Sequence, residues 1–152
     1  MSADAPPPSE EDVRARFLAS PFARFLGVDL ELRGDEITLV LPYKRTLIGN
    51  VILPALHGGV VGALLELSAL ATIAVKQRQL TLPKTIDMTV DYMRSGRPVP
   101  TYARASVTRL GRRIASVRSE AWQLERSNPI AALHGHFLLT PAGATEPTDD
   151  AK

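Results

Sequence analysis

The sequence predicts a single α+β domain in which an antiparallel sheet wraps around one long helix. Three observations carry that expectation. From Gly59 to about Gln77 the residues are apolar almost all round, rich in Ala and Leu and free of proline, which describes a helix buried on most sides. Four later segments, "KTIDMTVDYMRSG", "PTYARASVTRLG", "RRIASVRSEAWQLER" and "NPIAALHGHFLLTP", are β-rich and are parted by Gly, Pro or Asn. Upstream, "FLGVDLELR" and "EITLVLP" flank an Arg33-Gly34-Asp35 turn and predict a hairpin. With 152 residues, 45% of them hydrophobic, the chain suits one full core rather than two small ones.

In chain order, residues 1–8 are expected to form a disordered lead; they lack the basic region and apolar core of a secretory signal. Ser9 followed by Glu10, Glu11 and Asp12 predicts a capped helix start, and Val13, Phe17 and Leu18 continue an apolar stripe that Pro21 should end or bend. Tyr43 to Ala55 has no clear period and predicts a loop that delivers the chain to His57. The four β-rich segments predict a meander, with Ser106, Thr108, Arg118 and Glu120 on a solvent face. The ordered domain is placed at 9–140 and a disordered tail at 141–152.

Composition narrows the function. Lys and Arg total 18 against 16 Asp and Glu, a formal charge of +2, and aromatics make up 5%. That is too mild and too poor in aromatics for a nucleic-acid partner. The chain has no cysteine, which removes disulfides, thiolate metal sites and a cysteine nucleophile, and a cytoplasmic protein is expected. The longest apolar window, Val60 to Val75, carries Glu66 and falls short of the ~20 residues of a membrane span, so no membrane partner is expected. Gly58 and Gly62 have the spacing of a helix-packing pair, a pattern common by chance.

The chemistry gathers in "LPALHGGVVGALLELSALATI", where a glycine pair opens the helix and one carboxylate, Glu66, sits inside it. A helix start offers unpaired N–H groups and the positive end of the dipole, and glycines let a ligand carbonyl approach. An acid among Gly62, Ala63, Ala69 and Leu70 has space beside it for a ligand. The alternative is a buried acid tied to a serine or a backbone amide.

His57-Gly58-Gly59, the acid nine residues after that histidine, and "TIDMTVDYMRSG" about twenty residues further on resemble the hotdog-fold acyl-coenzyme A thioesterases of the phenylacetate-degradation and human thioesterase-superfamily type. The resemblance spans roughly Phe22 to Leu139. It implies that the Gly58 amide polarises the thioester carbonyl, that Gly59 leaves the helix start uncrowded, and that Glu66 acts as general base or nucleophile. His57 is implied to shape the turn, Asn50 to orient the thioester or the water, and Thr85 to hold the attacking water. Arg94, Arg97, Arg112 and Arg113 are candidates for the coenzyme A phosphates, against a plain solvated basic surface. No cofactor beyond the coenzyme A of the substrate is implied, and no metal is assigned, since His134 and His136 share a strand face without a third ligand. The resemblance further implies a homo-oligomer, a dimer or a dimer of dimers, with sites between subunits. Leu53, Leu56, Val61 and Leu65 are expected to line an apolar acyl pocket. Two other readings stay open. A hotdog hydratase or dehydratase usually has an Asp five residues before its histidine, where this chain has Ile52; a non-catalytic acyl-thioester binder would not need Glu66.

Overall fold

The computed structural model describes residues 5–141. Residues 1–4 of the expected lead, and the tail from 142 on, lie outside the described residues. Helix α1 (Glu10–Leu18) starts on a closed capping box: the Ser9 hydroxyl accepts from the Asp12 amide at 3.1 Å and the Asp12 carboxylate accepts from the Ser9 amide at 2.8 Å. The Ser9 hydroxyl, and secondly its amide, hold the Asp12 carboxyl below its ordinary value. Pro21 takes the first position of α2 (Pro21–Leu26), where its missing N–H costs nothing, and Gly27 at φ 73° ends that helix. Strands β1 (Asp29–Arg33) and β2 (Glu36–Leu41) form the expected hairpin, with Arg33 opposite Glu36 and Gly34 at φ 58° in the turn.

The segment expected to be a loop contains a 3-10 turn (Arg45–Leu47) and a short two-stranded ladder of β3 (Ile48–Asn50) and β4 (Ala55–Leu56). Helix α3 (Gly58–Gln77) comes next, one residue earlier than expected. By length and composition α3 is apolar enough to cross a membrane, but 67% of its most apolar window is buried inside the domain. Leu64, Leu65, Ala69, Ala71 and Ile73 are fully buried, and α3 packs on β2 and on three later strands, β6 (Thr101–Leu110), β7 (Ile114–Trp122) and β8 (Ala131–Leu138). Each of the larger side chains contributes about 2 kcal/mol of burial.

The six-stranded sheet runs β1-β2-β6-β7-β8-β5, antiparallel throughout, with β5 (Lys84–Tyr92) at one edge. This corrects the simple meander, because β5 pairs with β8 rather than with its successor β6. The physical reason lies in residues 93–100, which include Pro98 and Pro100 and are too long for a tight hairpin. Eight residues reach about 26 Å, ample for the ~14 Å from β5 across β8 and β7 to β6. The free side of β6 is taken by β2.

Candidate active site

The glycine turn is built from below. The His57 amide donates to the Leu47 carbonyl at 2.9 Å, which seats the turn on the 3-10 segment. Gly49 passes so close to it that an added Cβ would lie 2.7 Å from the His57 Cα. His57 itself caps α3. Its Nδ1 accepts from the Gly59 amide at 2.9 Å, which places the ring proton on Nε2, and its carbonyl accepts from the Val60 and Val61 amides at 3.0 and 3.3 Å. Of these first-turn amides, Gly58 N–H alone has no acceptor among the described residues. Gly58 is exposed, and its amide stands at the positive end of a 20-residue helix, where a carbonyl or anionic oxygen can accept from it.

Asn50 is committed locally. Its side-chain oxygen accepts from the Ile52 and Leu53 amides at 3.0 and 3.2 Å, forming a turn within the loop. A residue not singled out in the sequence, Tyr92, closes the other side of the glycine turn. Its hydroxyl donates to the Gly58 carbonyl at 2.7 Å. A Cβ on Gly58 would meet the Tyr92 ring at 3.5 Å, and one on Gly62 would meet its hydroxyl at 3.1 Å. The Gly58–Gly62 spacing therefore makes room for a tyrosine from β5, not for a second helix.

Glu66 lies on a half-buried stripe of α3 with Val60, Ala63 and Leu70, while most of the helix around it is buried. The Thr85 hydroxyl donates to its Oε1 at 2.5 Å. This pairing depends on a bulge in β5, where the register against β8 slips between Thr85 and Asp87. Thr85 pairs with Phe137, and Val90 with Leu133, both of which point into the core. Without the extra residue, Thr85 and Tyr92 would face opposite sides of the sheet. Glu66 and Gly58 are eight residues apart on α3, about 12 Å along its axis.

A cavity of about 350 Å³ lies against Gly58, lined by Leu56, Val61, Tyr92 and Arg94. It shares Arg94 and Ser95 with a larger one of about 690 Å³ walled by Leu53, Pro54, Arg97, Leu124 and Ile130. Arg94 also donates to the Pro129 carbonyl at 2.7 Å. The four expected acyl-pocket residues do not share one wall: Leu56 and Val61 line the small cavity, Leu53 the larger, and Leu65 is fully buried in the core. Arg112 and Arg113 sit apart from Arg94 and Arg97, in the β6–β7 turn beside Ile114, which pairs with Leu138 and through it with Lys84. That is the end of β5 opposite Tyr92.

The pattern of the thioesterase superfamily matches residues 53–130, just over half of the chain and all of the turn and helix described above. The chain belongs to the thioesterase superfamily. A medium/long-chain acyl-CoA thioesterase of Escherichia coli K12, YigI, is 32% identical over 115 residues, covering 66% of this chain and 74% of its own. A thioesterase-superfamily-related protein of Shewanella oneidensis is 32% identical with a TM-score of 0.72, over 86% of this chain and 94% of that one. A Bacillus halodurans protein whose crystal structure holds CoA shares the fold, with a TM-score of 0.69 at 20% identity over 91% and 97% of the two chains. The expected hotdog architecture is the one observed, and the chain is a thioester hydrolase of this superfamily.

Proposed function

We propose that this thioesterase hydrolyses medium- to long-chain acyl-CoA to the free acid and CoA, at a site formed by two copies of the chain. The observation that carries the reading is the Gly58 N–H, which has no acceptor among the described residues and stands where a thioester carbonyl can approach it. Hydrogen-bonded there, the carbonyl is polarised and its tetrahedral oxyanion stabilised, a contribution of about 3 kcal/mol for one preorganised donor. The Glu66 carboxylate, held by Thr85, takes a proton from water as the water oxygen attacks the carbonyl carbon. The C–S bond then breaks, and the departing thiolate recovers that proton from Glu66. Attack by the carboxylate itself, giving a mixed anhydride that water cleaves, uses the same groups. Single turnover in isotopically labelled water detects the anhydride route when water attacks the glutamyl carbonyl carbon, which leaves label in Glu66, whereas the general-base route leaves it in the product acid alone.

The geometry supports a shared site. Strand β5 has a neighbour on one side only and exposes Ile86, Met88 and Tyr92, the kind of edge that templates pairing with another strand. Antiparallel pairing of two β5 edges about Met88 sets Lys84 and Thr85 of one copy beside Tyr92 and Gly58 of the other. Glu66 then faces a glycine turn that is not its own. The 690 Å³ cavity, reached from Gly58 past Arg94, has an apolar wall of Leu53, Pro54, Leu124 and Ile130 and a polar rim that includes Arg97, Gln123, Glu125 and Asn128; it suits the pantetheine arm or an extended acyl chain, and the name of the Escherichia coli relative supports the chain-length class. Arg94 and Arg97 on that path, and Arg112 and Arg113 of the second copy, are assigned to the phosphates.

The test is Glu66→Gln against a panel of acyl-CoA thioesters of increasing chain length, with thiol release as the readout. Turnover falls by about two orders of magnitude while KM moves little. A Glu66→Gln enzyme turning over its best thioester at the wild-type rate refutes the mechanism.

A further inference from the structure

Strand β5 reaches α3 with two hydroxyl groups, and the proposed hydrolysis draws on one of them. Thr85, near the start of the strand, holds Glu66. Tyr92, at its end, holds the glycine turn by donating to the Gly58 carbonyl at 2.7 Å. The two are seven residues apart, an odd number, so an unbroken strand would turn them to opposite faces. The register slip between Thr85 and Asp87 brings them to one face: Thr85 pairs with Phe137 and Tyr92 with Ala131, both fully buried.

The end of the strand is fixed from several sides. The Met93 and Arg94 amides both donate to the Ile130 carbonyl, at 2.9 and 3.0 Å, and the Leu56 amide donates to the Gly96 carbonyl at 2.9 Å. A Cβ on Gly96 would stand 3.1 Å from Leu56 Cδ1, so the segment after Tyr92 lies directly against the one before His57. Tyr92 is therefore a fixed post beside the turn. The turn needs one, because Gly58 opens α3, where helices fray, and no side chain restrains its φ and ψ. The peptide before Gly58 is held through the His57 carbonyl, which accepts from the Val60 and Val61 amides. The peptide after it is held through the Gly59 amide on His57 Nδ1 and through the Gly58 carbonyl on the Tyr92 hydroxyl. Of these bonds, the one to Tyr92 ties Gly58 to another element, while the others close within the turn and its helix.

We propose that Tyr92 is a positioning residue for the hydrolysis: through the Gly58 carbonyl, its hydroxyl fixes the aim of the Gly58 N–H at the reacting carbonyl. The inference rests on the reading that this amide receives the thioester oxygen. A donor of this kind lowers the barrier only while it is held in place, and a displacement of about 1 Å costs up to about a hundredfold in rate. Removing one of several restraints costs less, about tenfold. Substrate binding is spared when the hydroxyl alone is removed, because the ring stays in the cavity wall it shares with Leu56 and Val61.

Steady-state kinetics on the full chain test it, with wild type, Tyr92→Phe, Gly62→Ala and the double variant each assayed well below its thermal melt. Tyr92→Phe deletes one oxygen, and Gly62→Ala pushes the same hydroxyl from the helix side, its Cβ at 3.1 Å. The expected result is a kcat about tenfold lower in Tyr92→Phe with KM within about twofold of wild type, a smaller fall in Gly62→Ala, and no further loss when the two are combined. An S-alkyl-CoA thioether, which lacks the carbonyl, inhibits every variant as it does wild type. A wild-type kcat in folded Tyr92→Phe overturns the proposal. So does a fall in kcat matched by weaker thioether binding, which would make Tyr92 a wall of the substrate cavity and nothing more. Full additivity of the two substitutions overturns it too, since their effects would then not pass through one bond. Glu66→Gln is assayed in parallel: if it is impaired while Tyr92→Phe is not, the positioning role falls and the proposed reaction stands, whereas a wild-type rate in Glu66→Gln refutes the proposed base whatever Tyr92→Phe does.

Discussion

Replacing Gly62 by alanine sets two effects of similar size against each other. In a helix interior the change gains about 1 kcal/mol from backbone propensity alone. Here the new Cβ would sit 3.1 Å from the Tyr92 hydroxyl, which must retreat by a few tenths of an ångström and loosen its 2.7 Å bond to the Gly58 carbonyl. That bond is solvent-exposed, so its net worth is about 0.5–1 kcal/mol. The two nearly cancel, and Gly62→Ala alone leaves stability close to that of wild type. In a Tyr92→Phe background no hydroxyl stands in the way, and the same substitution stabilises by about 1 kcal/mol. The coupling in the double-mutant cycle is therefore about 0.5–1 kcal/mol. Urea unfolding of the four proteins at one fixed protomer concentration measures it, since association adds to apparent stability. If Gly62→Ala stabilises equally in both backgrounds, Tyr92 does not occupy the Gly58–Gly62 groove as described.

Two further substitutions probe the elements that place the site. Gly49→Ala puts a methyl 2.7 Å from the His57 Cα, a backbone clash, so it destabilises by about 1–3 kcal/mol and lowers thioester hydrolysis; a thermal melt and a rate at wild-type levels would count against the packing that seats His57. Asp12→Asn loosens the α1 capping box. Because the Asp12 pKa is depressed in the folded chain, its contribution is present above the ordinary value of 3.8 and is lost as the pH falls below that value, through the folded pKa. The stability gap between wild type and Asp12→Asn should therefore be open at neutral pH and closed in acid, and a gap independent of pH would refute the assignment.

Much of the architecture is legible in local patterns. Ser9 with Asp12, Gly34 in its turn and the proline-free run after Gly58 each act within a few residues, where the sequence shows them directly. Strand order is not local. That β5 lies beside β8 depends on how far residues 93–100 reach and on β2 taking the free side of β6. The β5 bulge is hidden for a sharper reason: a single inserted residue reverses the facing of every later side chain, and composition carries no mark of it. Thr85 can be named from the sequence, but its bond to Glu66 depends on the β5 bulge. Tyr92 cannot, for it gains its neighbours only through β5 docking on α3. Leu65 is expected in the acyl pocket as one of the apolar residues of the turn and helix, yet its place on the helix turns it into the core.

The central claim is that the glycine turn of one copy works with the acid of another. Mixed dimers measure it most directly. A Gly58→Val chain, which blocks the approach to the amide, and a Glu66→Gln chain are each nearly inactive alone. Co-expressed with different tags and purified as verified heterodimers, they leave one of two sites with both intact halves, and the account predicts about half the wild-type turnover per dimer. Heterodimers as inactive as either parent would contradict it, because turn and acid would then have to act within a single chain.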